Sequence, residues 1–379
     1  MNGRERLQEA RRIVVKVGTS TLAHRTGKLN LYRIEQLVRE IVDIANAGKE
    51  VVFVSSGAQA AGMAQLGLRQ KPEDIPVRQV LAAIGQGVLM HTYEKIFAEY
   101  GQTVGQVLLT KENAVRHNQY HHSREALQAM LAMGIIPVVN ENDAVSVDEI
   151  KIGDNDNLAA IVATLVDADA LIILSDIEGL YTANPATHPE AELIHEVSDI
   201  TPAVEQLAGS AGSSIGTGGM YTKIEAAKIA TSAGVTMAIA KGSRAHVLRE
   251  LLTGELVGTV FAAKEAHLKV RKSWLAFGKD LRGDICVDEG CERAMRERGS
   301  SLLAAGITAC EGDFSAGNTV RVLSAQRQEI ARGIVNYDKE TLTKIMGHQT
   351  EDFARLLGDR PQGEVKEEVI HRDNMVLMV

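Results

Sequence analysis

Between Arg12 and about Val260, short β-branched runs take turns with amphipathic segments, and this alternation leaves the chain very few architectures. RIVVKV, EVVFVSS, TVGQVLL, IIPVV, ALIIL and VTMAIA have the length and composition of buried strands. LYRIEQLVREIVDIANAG and SREALQAMLAMG carry apolar residues at helical spacing and close on glycine. Strands and helices in alternation predict βαβ units, hence an α/β fold with a mostly parallel sheet sandwiched by helices. Ligands of such sheets bind beyond the carboxyl ends of the strands, so the residues that follow each strand are the ones to read for function.

The pattern changes after about Leu268. Shorter apolar runs separated by GD, EGD and AGN predict a small, mainly β domain with one or two helices. The 379 residues are therefore expected to form two domains, 1–265 and 275–379, with the boundary within 262–275. A net charge of -8 argues against a surface that coats nucleic acid or membrane. Cys286, Cys291 and Cys310 show neither CxxC nor zinc-finger spacing and read as reduced thiols. The charged N-terminus leads into a strand, not into a signal-peptide core, and no apolar stretch approaches membrane-spanning length, so a cytoplasmic protein is expected.

The strand ends are rich in glycine, small hydroxyl and Asx residues, as a phosphate-handling rim requires. KVGTS follows the first strand and SSGAQAAG the second; NENDAVSVDEIKIGDNDN follows IIPVV, Ser175 and Asp176 follow ALIIL, and GTGGMYTK runs into a later helix. Neither GxxxxGK[ST] nor GxGxxG after the first strand is present, which removes support for a P-loop or a dinucleotide-binding domain. Lys16 and Lys223 could each be a solvated lysine at a strand or helix end. Two of them beside glycine turns on one rim suit the terminal phosphate of a nucleotide better. GDNDN, residues 153–157, could be a turn and helix cap. Asp154, Asn155 and Asp156 nevertheless supply more carboxylate than one cap needs, and carboxylates near two lysines would fix the ammonium groups or coordinate magnesium. HRDN at 371–374 echoes a protein-kinase catalytic loop, but too little chain follows it for that chemistry, and it is expected to form a terminal strand. His117, His121 and His122 lack an acidic partner at zinc spacing and read as an exposed loop and helix start.

KVGTS, VVFVSSGAQAAG, NENDAV, IKIGDNDNLAA, LSDIEGLYTANP and GTGGMYTKIEAA, in this order, resemble the amino acid kinase family, in the branch that phosphorylates the side-chain carboxylate of L-glutamate. WLAFGKDLRGDICVDEG, GSSLLAAGI, IARGIVNYD and EVIHRDNMVL resemble the PUA domain appended to many members of that branch, so nearly the whole chain is covered. The resemblance implies transfer of a phosphoryl group from ATP to the γ-carboxylate of L-glutamate, giving L-glutamyl 5-phosphate for proline synthesis, with magnesium carried by ATP and no protein metal site. It implies Lys16, Lys223 and Asp156 as catalytic residues, Asp156 holding both lysines. Ser56, Asn140, Asp143, Asp154 and Asn155 would bind glutamate, with Asp143 on the ammonium group. Lys16, Ser175, Asp176, Thr217, Gly218, Gly219, Met220, Tyr221, Thr222 and Lys223 would bind the nucleotide. Proline as a feedback inhibitor and a homo-oligomer, dimer or tetramer, are further implications. Family members acting on acetylglutamate, aspartate, UMP or carbamate are the rival enzymes.

A protein acting mainly on RNA through its PUA domain is the rival from another class. Residues 271–379 hold 16 Lys and Arg against 18 Asp and Glu, without the basic footprint that phosphate-backbone binding calls for. Departures from the family pattern are Gln59 for an aliphatic residue, Ser175 for Thr, Asn184 for Asp, Ala305 for Pro and Asn318 for Asp. Ser175 keeps the hydroxyl, and Gln59 is expected to alter packing behind the glutamate pocket.

Overall fold

The computed structural model describes residues 1–24, 26–110, 117–145, 155–185, 187–208, 219–264, 281–357 and 366–378. The chain divides into two compact units, Met1–His267 and Leu268–Val379. In the first, the strands are β1 (Arg12–Val17), β2 (Glu50–Val54), β3 (Val104–Leu109), β4 (Ile136–Glu141), β5 (Ala170–Ser175), β6 (Glu196–Val197), β7 (Thr236–Lys241) and β8 (Thr259–Phe261). They form one eight-stranded sheet in the order β3-β4-β2-β1-β5-β7-β8-β6. All pairings are parallel except β7 with β8. Every residue of β4 and β5 is buried, which is why these strands read as continuous apolar runs and not as alternating ones.

The register brings the carboxyl ends level. Lys16 lies opposite Val54 on one side and Ile173 on the other. Just past the strands, Gly18 N donates to Leu174 O at 3.2 Å, Ser55 N to Val139 O at 2.9 Å and Gly242 N to Ser175 O at 2.6 Å. The turns after β1, β2, β5 and β7 therefore begin on one hydrogen-bonded edge.

Helices fill the faces. Asn155–Leu165, buried from Leu158 to its end, packs against Met220–Ser232, while Leu31–Asn46 packs on β2. Helices Ala58–Gln65 and Ile75–Glu99 touch backbone to backbone: a Cβ on Gly85 would stand 1.7 Å from Ala58 O, and one on Gly62 2.0 Å from Leu81 O. The shorter helix starts at Gly57, whose φ of 95° lies in the left-handed region that favours glycine. Among the described residues, no helix is long and apolar enough to cross a membrane.

In the second unit β9 (Leu281–Val287), β10 (Leu302–Leu303), β11 (Ile307–Gly312), β12 (Thr319–Leu323), β13 (Glu329–Ile334), β14 (Glu368–Ile370) and β15 (Met375–Leu377) form a five-stranded sheet, β11-β9-β12-β13-β15, and a β10-β14 pair. Ile285, Val320, Ala331, Leu342 and Val369 centre its core. HRDN departs from the expected strand: Arg372–Asn374 form a single 3-10 turn between β14 and β15, closed by Asn374 N donating to His371 O at 2.8 Å. β14 pairs with β10 and β15 with β13, so the turn stands where the chain passes from one pairing to the other, and pairing with β13 begins at Met375. Asn318 Oδ1 accepts from Ser315 N at 2.8 Å, the turn role an aspartate would also fill. The three cysteines are free thiols.

The two facing glycines generate a prediction. In an open helix, Gly85→Ala would stabilise by about 1 kcal/mol on propensity. Here the added methyl meets a carbonyl oxygen at 1.7 Å, and overpacking of this kind costs about 1–3 kcal/mol or more, so the net effect is destabilising. Urea unfolding of parent and variant should show a lower midpoint for the variant.

Candidate active site

Three elements bring three charged side chains together. Lys16 lies one residue before the end of β1, Asp156 in the first turn of Asn155–Leu165, and Lys223 in the first turn of Met220–Ser232. Lys16 Nζ donates to Asp156 Oδ1 at 2.6 Å, and Lys223 Nζ to Oδ2 at 3.1 Å. Thr222 Oγ1 adds a third donor to Oδ2 at 2.9 Å. Relative exposures of 7% for Lys16, 1% for Asp156 and 3% for Lys223 rule out the reading of the lysines as solvated surface residues. Burial alone would raise the Asp156 carboxyl, but the two ammonium charges, with the hydrogen bonds from Lys16 and Thr222, hold it well below the usual carboxylate range. Two cations on one anion leave an excess of positive charge in a buried place, and such a charge is stabilised by an anion brought from solution.

The neighbouring residue of the same helix start faces a different group. Successive helical residues project about 100° apart, so Asn155 and Asp156 address different strand ends. Asn155 Nδ2 donates to Ser55 O at 2.8 Å, Ser56 Oγ at 3.0 Å and Asn140 Oδ1 at 2.9 Å, joining the ends of β2 and β4. Asn140 Nδ2 in turn donates to Gln86 Oε1 at 2.7 Å, and the Ser55 hydroxyl lies 2.7 Å from that of Tyr93. Asp143 is half-buried in the turn after β4. Burial and the charge of Arg78 hold the Lys71 ammonium pKa below its ordinary value, and the Asp143 carboxylate opposes them. Gln59 Oε1 lies 3.5 Å from Arg78 Nε, so this departure from the family pattern makes a polar contact between helices Ala58–Gln65 and Ile75–Glu99.

On the other side, Ser175 Oγ donates to Asp176 Oδ1 at 2.9 Å and fixes the carboxylate at the end of β5. Gly219 precedes the helix that carries Lys223 and supplies no side-chain cap, and Met220, Tyr221 and Thr222 form its first turn. A helix start with backbone amides, next to two ammonium groups, fits the phosphates of a nucleotide. Asp156 is already committed to two lysines and a threonine, so magnesium here would be held by phosphate oxygens. Among the described residues, no group of three or more His, Cys, Asp or Glu is placed to hold a metal ion.

Of the residues read from sequence, Lys16, Asp156 and Lys223 meet in one cluster, and Ser56, Asn140 and Asn155 in a second. Asp154, Thr217 and Gly218 lie outside the described residues. Thr222, expected to touch nucleotide, donates to Asp156. His122 is exposed beside Glu125 at 3.8 Å, and the side chains of His117 and His121 lie outside those described. Gln86 and Tyr93 were missed. Gln86 did carry a signal, being a polar residue directly after a glycine in the otherwise apolar run VLAAIGQGVLM.

Residues 11–241 match the model of the amino acid kinase family, and residues 283–357 that of the PUA domain. The chain belongs to the amino acid kinase family. Along almost its whole length it is similar to glutamate 5-kinases. It is 49% identical over 372 residues to that of Moorella thermoacetica, covering 98% of this chain and 97% of that protein. It is 49% identical over 367 residues to that of a Thermoanaerobacter species, covering 97% and 98%. Among solved structures, a UMP kinase from Bacillus anthracis aligns with a TM-score of 0.47 at 16% identity, over 67% of this chain and 96% of that one.

The buried triad predicts a pH-dependent stability. A carboxyl whose pKa is depressed by folding contributes stability that is fully present above its unfolded value, about 3.9, and is lost as pH falls toward the folded value. Asp156→Asn leaves two buried ammonium groups without their counter-charge and should cost about 3–5 kcal/mol at neutral pH. Denaturant unfolding of both proteins should show this gap narrowing below about pH 4.

Proposed function

We propose that this chain transfers the terminal phosphoryl group of ATP to the γ-carboxylate of L-glutamate, giving L-glutamyl 5-phosphate, the first step of proline biosynthesis. The observation that carries the reading is the helix start at which Asn155 joins a polar amide cluster while Asp156 joins a buried lysine pair. Two anionic substrates could meet there, one on each side. Similarity to glutamate 5-kinases along nearly the whole chain supports the same substrate.

A glutamate side chain, with a pKa of about 4.3, is already ionised at neutral pH, so the reaction needs no general base. A carboxylate oxygen forms the new bond to the γ-phosphorus while the bond from that phosphorus to the β–γ bridging oxygen breaks, and ADP leaves with the electron pair. The obstacle is repulsion between two anions. Lys16 and Lys223 neutralise charge on the transferring group and on the leaving oxygen, and the helix that starts after Gly219 offers backbone N–H groups. Asp156 fixes both lysines and takes no proton. Magnesium, carried on ATP, supplies further positive charge to the phosphates.

In this reading Ser56 and the amides after it bind a glutamate carboxylate, Asp143 pairs with the ammonium group, and Asn140, Asp154 and Asn155 complete the amino-acid site. Ser175, Asp176 and residues 217–223 hold the nucleotide. Residues 1–265 then carry the catalytic domain and 275–379 the PUA domain. The chain works in the cytoplasm as a dimer or tetramer, with proline as a feedback inhibitor and without RNA.

Incubation with ATP, magnesium, hydroxylamine and one acid at a time tests the substrate, since hydroxylamine traps an acyl phosphate as its hydroxamate. Glutamate should give the product; acetylglutamate, aspartate and carbamate should not. In the same assay Lys16→Ala and Lys223→Ala should lower turnover by orders of magnitude while glutamate KM stays within a few fold, because their charge matters most in the transition state. Near-full turnover in either variant would refute the paired-lysine mechanism. Asp143→Asn should raise glutamate KM about 10- to 100-fold, the loss of a charge-assisted hydrogen bond worth about 1.5–3 kcal/mol, and leave ATP KM unchanged. Glutarate, which lacks the ammonium group, should lose little in that variant. Equal losses for the two acids would assign Asp143 to loop support alone.

A further inference from the structure

A carboxamide has two unlike ends, an acceptor oxygen and a two-donor nitrogen, so what an asparagine recognises depends on which end meets the ligand. Two backbone groups that cannot invert decide this at the strand ends. Glu141 N donates to Asn140 Oδ1 at 2.9 Å, which turns that oxygen toward the interior of the cluster. Ser55 O accepts from Asn155 Nδ2 at 2.8 Å, and Asn140 Oδ1 and Ser56 Oγ lie at 2.9 and 3.0 Å from the same nitrogen. Inverting the Asn155 amide would set its oxygen against the Ser55 and Asn140 oxygens, acceptor to acceptor. Ser55 itself is held, since its N donates to Val139 O at 2.9 Å and its hydroxyl meets the fully buried Tyr93 hydroxyl at 2.7 Å. Asn155 Oδ1 is thereby turned away from the cluster. Among the described residues it accepts no hydrogen bond, although its residue is half-buried.

One donor of the relay remains to be placed. Asn140 is 2% exposed, so its Nδ2 cannot turn to water, and the acceptor that meets this nitrogen is Gln86 Oε1 at 2.7 Å. Gln86 reaches it because it follows Gly85, where Ile75–Glu99 lies directly on the first turn of Ala58–Gln65. Without that acceptor, the Asn140 amide relieves its stranded donor by rotating, and rotation withdraws Oδ1 from Asn155.

We infer that Gln86 is a positioning residue for substrate selection: through Asn140 it holds the Asn155 amide with its oxygen outward, as an acceptor for the α-ammonium group of the amino-acid substrate. The inference rests on the glutamate reading above and deepens it. Gln86 touches no substrate. Its effect runs through the polarity of two amides, so it bears on the amino group and not on the carboxylate that is phosphorylated.

The test compares glutamate with glutarate in the full-length parent, Gln86→Met and Gln86→Glu, with thermal unfolding as a check on folding. Gln86→Met removes the acceptor at similar volume. It should raise glutamate KM about 10-fold with kcat and ATP KM within about two-fold, and lower the glutamate-to-glutarate ratio of kcat/KM by about 10-fold. Gln86→Glu keeps an acceptor oxygen; any general charge effect falls on both acids alike, so the ratio should stay within about two-fold of the parent. Gln86→Ala serves as the second acceptor-free variant should the methionine one not fold. A ratio unchanged in the acceptor-free variants, with both acids losing equally, would overturn the inference and leave Gln86 a packing residue. So would a ratio that falls in Gln86→Glu as far as in Gln86→Met. Turnover of glutamate by the parent depends on the substrate reading alone, so failure there is separate from failure of the ratio.

Discussion

The interaction on which the site depends is the one between Asp156 and the two ammonium groups it holds in the interior. Removing an ion from water costs several kcal/mol even after relaxation, and here three ions lie within an exposure of 7% or less. Attraction offsets part of that cost because each carboxylate oxygen is engaged separately, Oδ1 by Lys16 and Oδ2 by Lys223 and Thr222. The charges do not cancel. A site built to bind an anion strongly must keep a positive excess out of water, and a carboxylate between two lysines does so without letting them repel one another apart.

The same helix start also explains why two ligands would be placed relative to each other with little freedom. Asn155 and Asp156 are consecutive, so the amide cluster at the ends of β2 and β4 and the lysine pair at the end of β1 are joined by a single peptide unit. Behind them, Gly62 and Gly85 allow two helices to approach to backbone contact, which sets Gln86 against Asn140 and Tyr93 against Ser55. An in-line transfer tolerates little error in the distance between donor and acceptor. Rigid backbone between the two clusters is the cheapest means of keeping that distance.

The strands that carry the site were legible because the sheet is covered on both faces. Burial on both sides makes β1, β2, β4, β5 and β7 mainly apolar stretches without alternation, and their ends fall where glycine and small polar residues begin. β6 and β8, of two and three residues, are too short to show a period. The Arg372–Asn374 turn was read as strand because its flanks are strands and nothing local marks the break between them. Within the site, residue types were legible and pairings were not. Lys16 and Asp156 stand 140 positions apart, and only the fold brings them to 2.6 Å. The resemblance implies Thr222 as a nucleotide residue, and only the fold shows that its hydroxyl also donates to a carboxylate from another helix. The orientation of an amide is set by partners that no local pattern contains, so the partner of Gln86 and the polarity of Asn155 could be found only in three dimensions.

The electrostatics of Asp156 also constrain the kind of acceptor the lysine pair could serve. Phosphoryl transfer to an alcohol needs a group that takes the hydroxyl proton, and such a base works best with a pKa near the working pH. Asp156 is held far below that by Lys16 and Lys223, so its affinity for a proton at neutral pH is negligible. An acceptor that is already an anion needs no base, and an ionised carboxylate then suits the site, since it holds both ammonium groups in place. The feature that makes Asp156 useless as a base is the one that suits it to a carboxylate substrate.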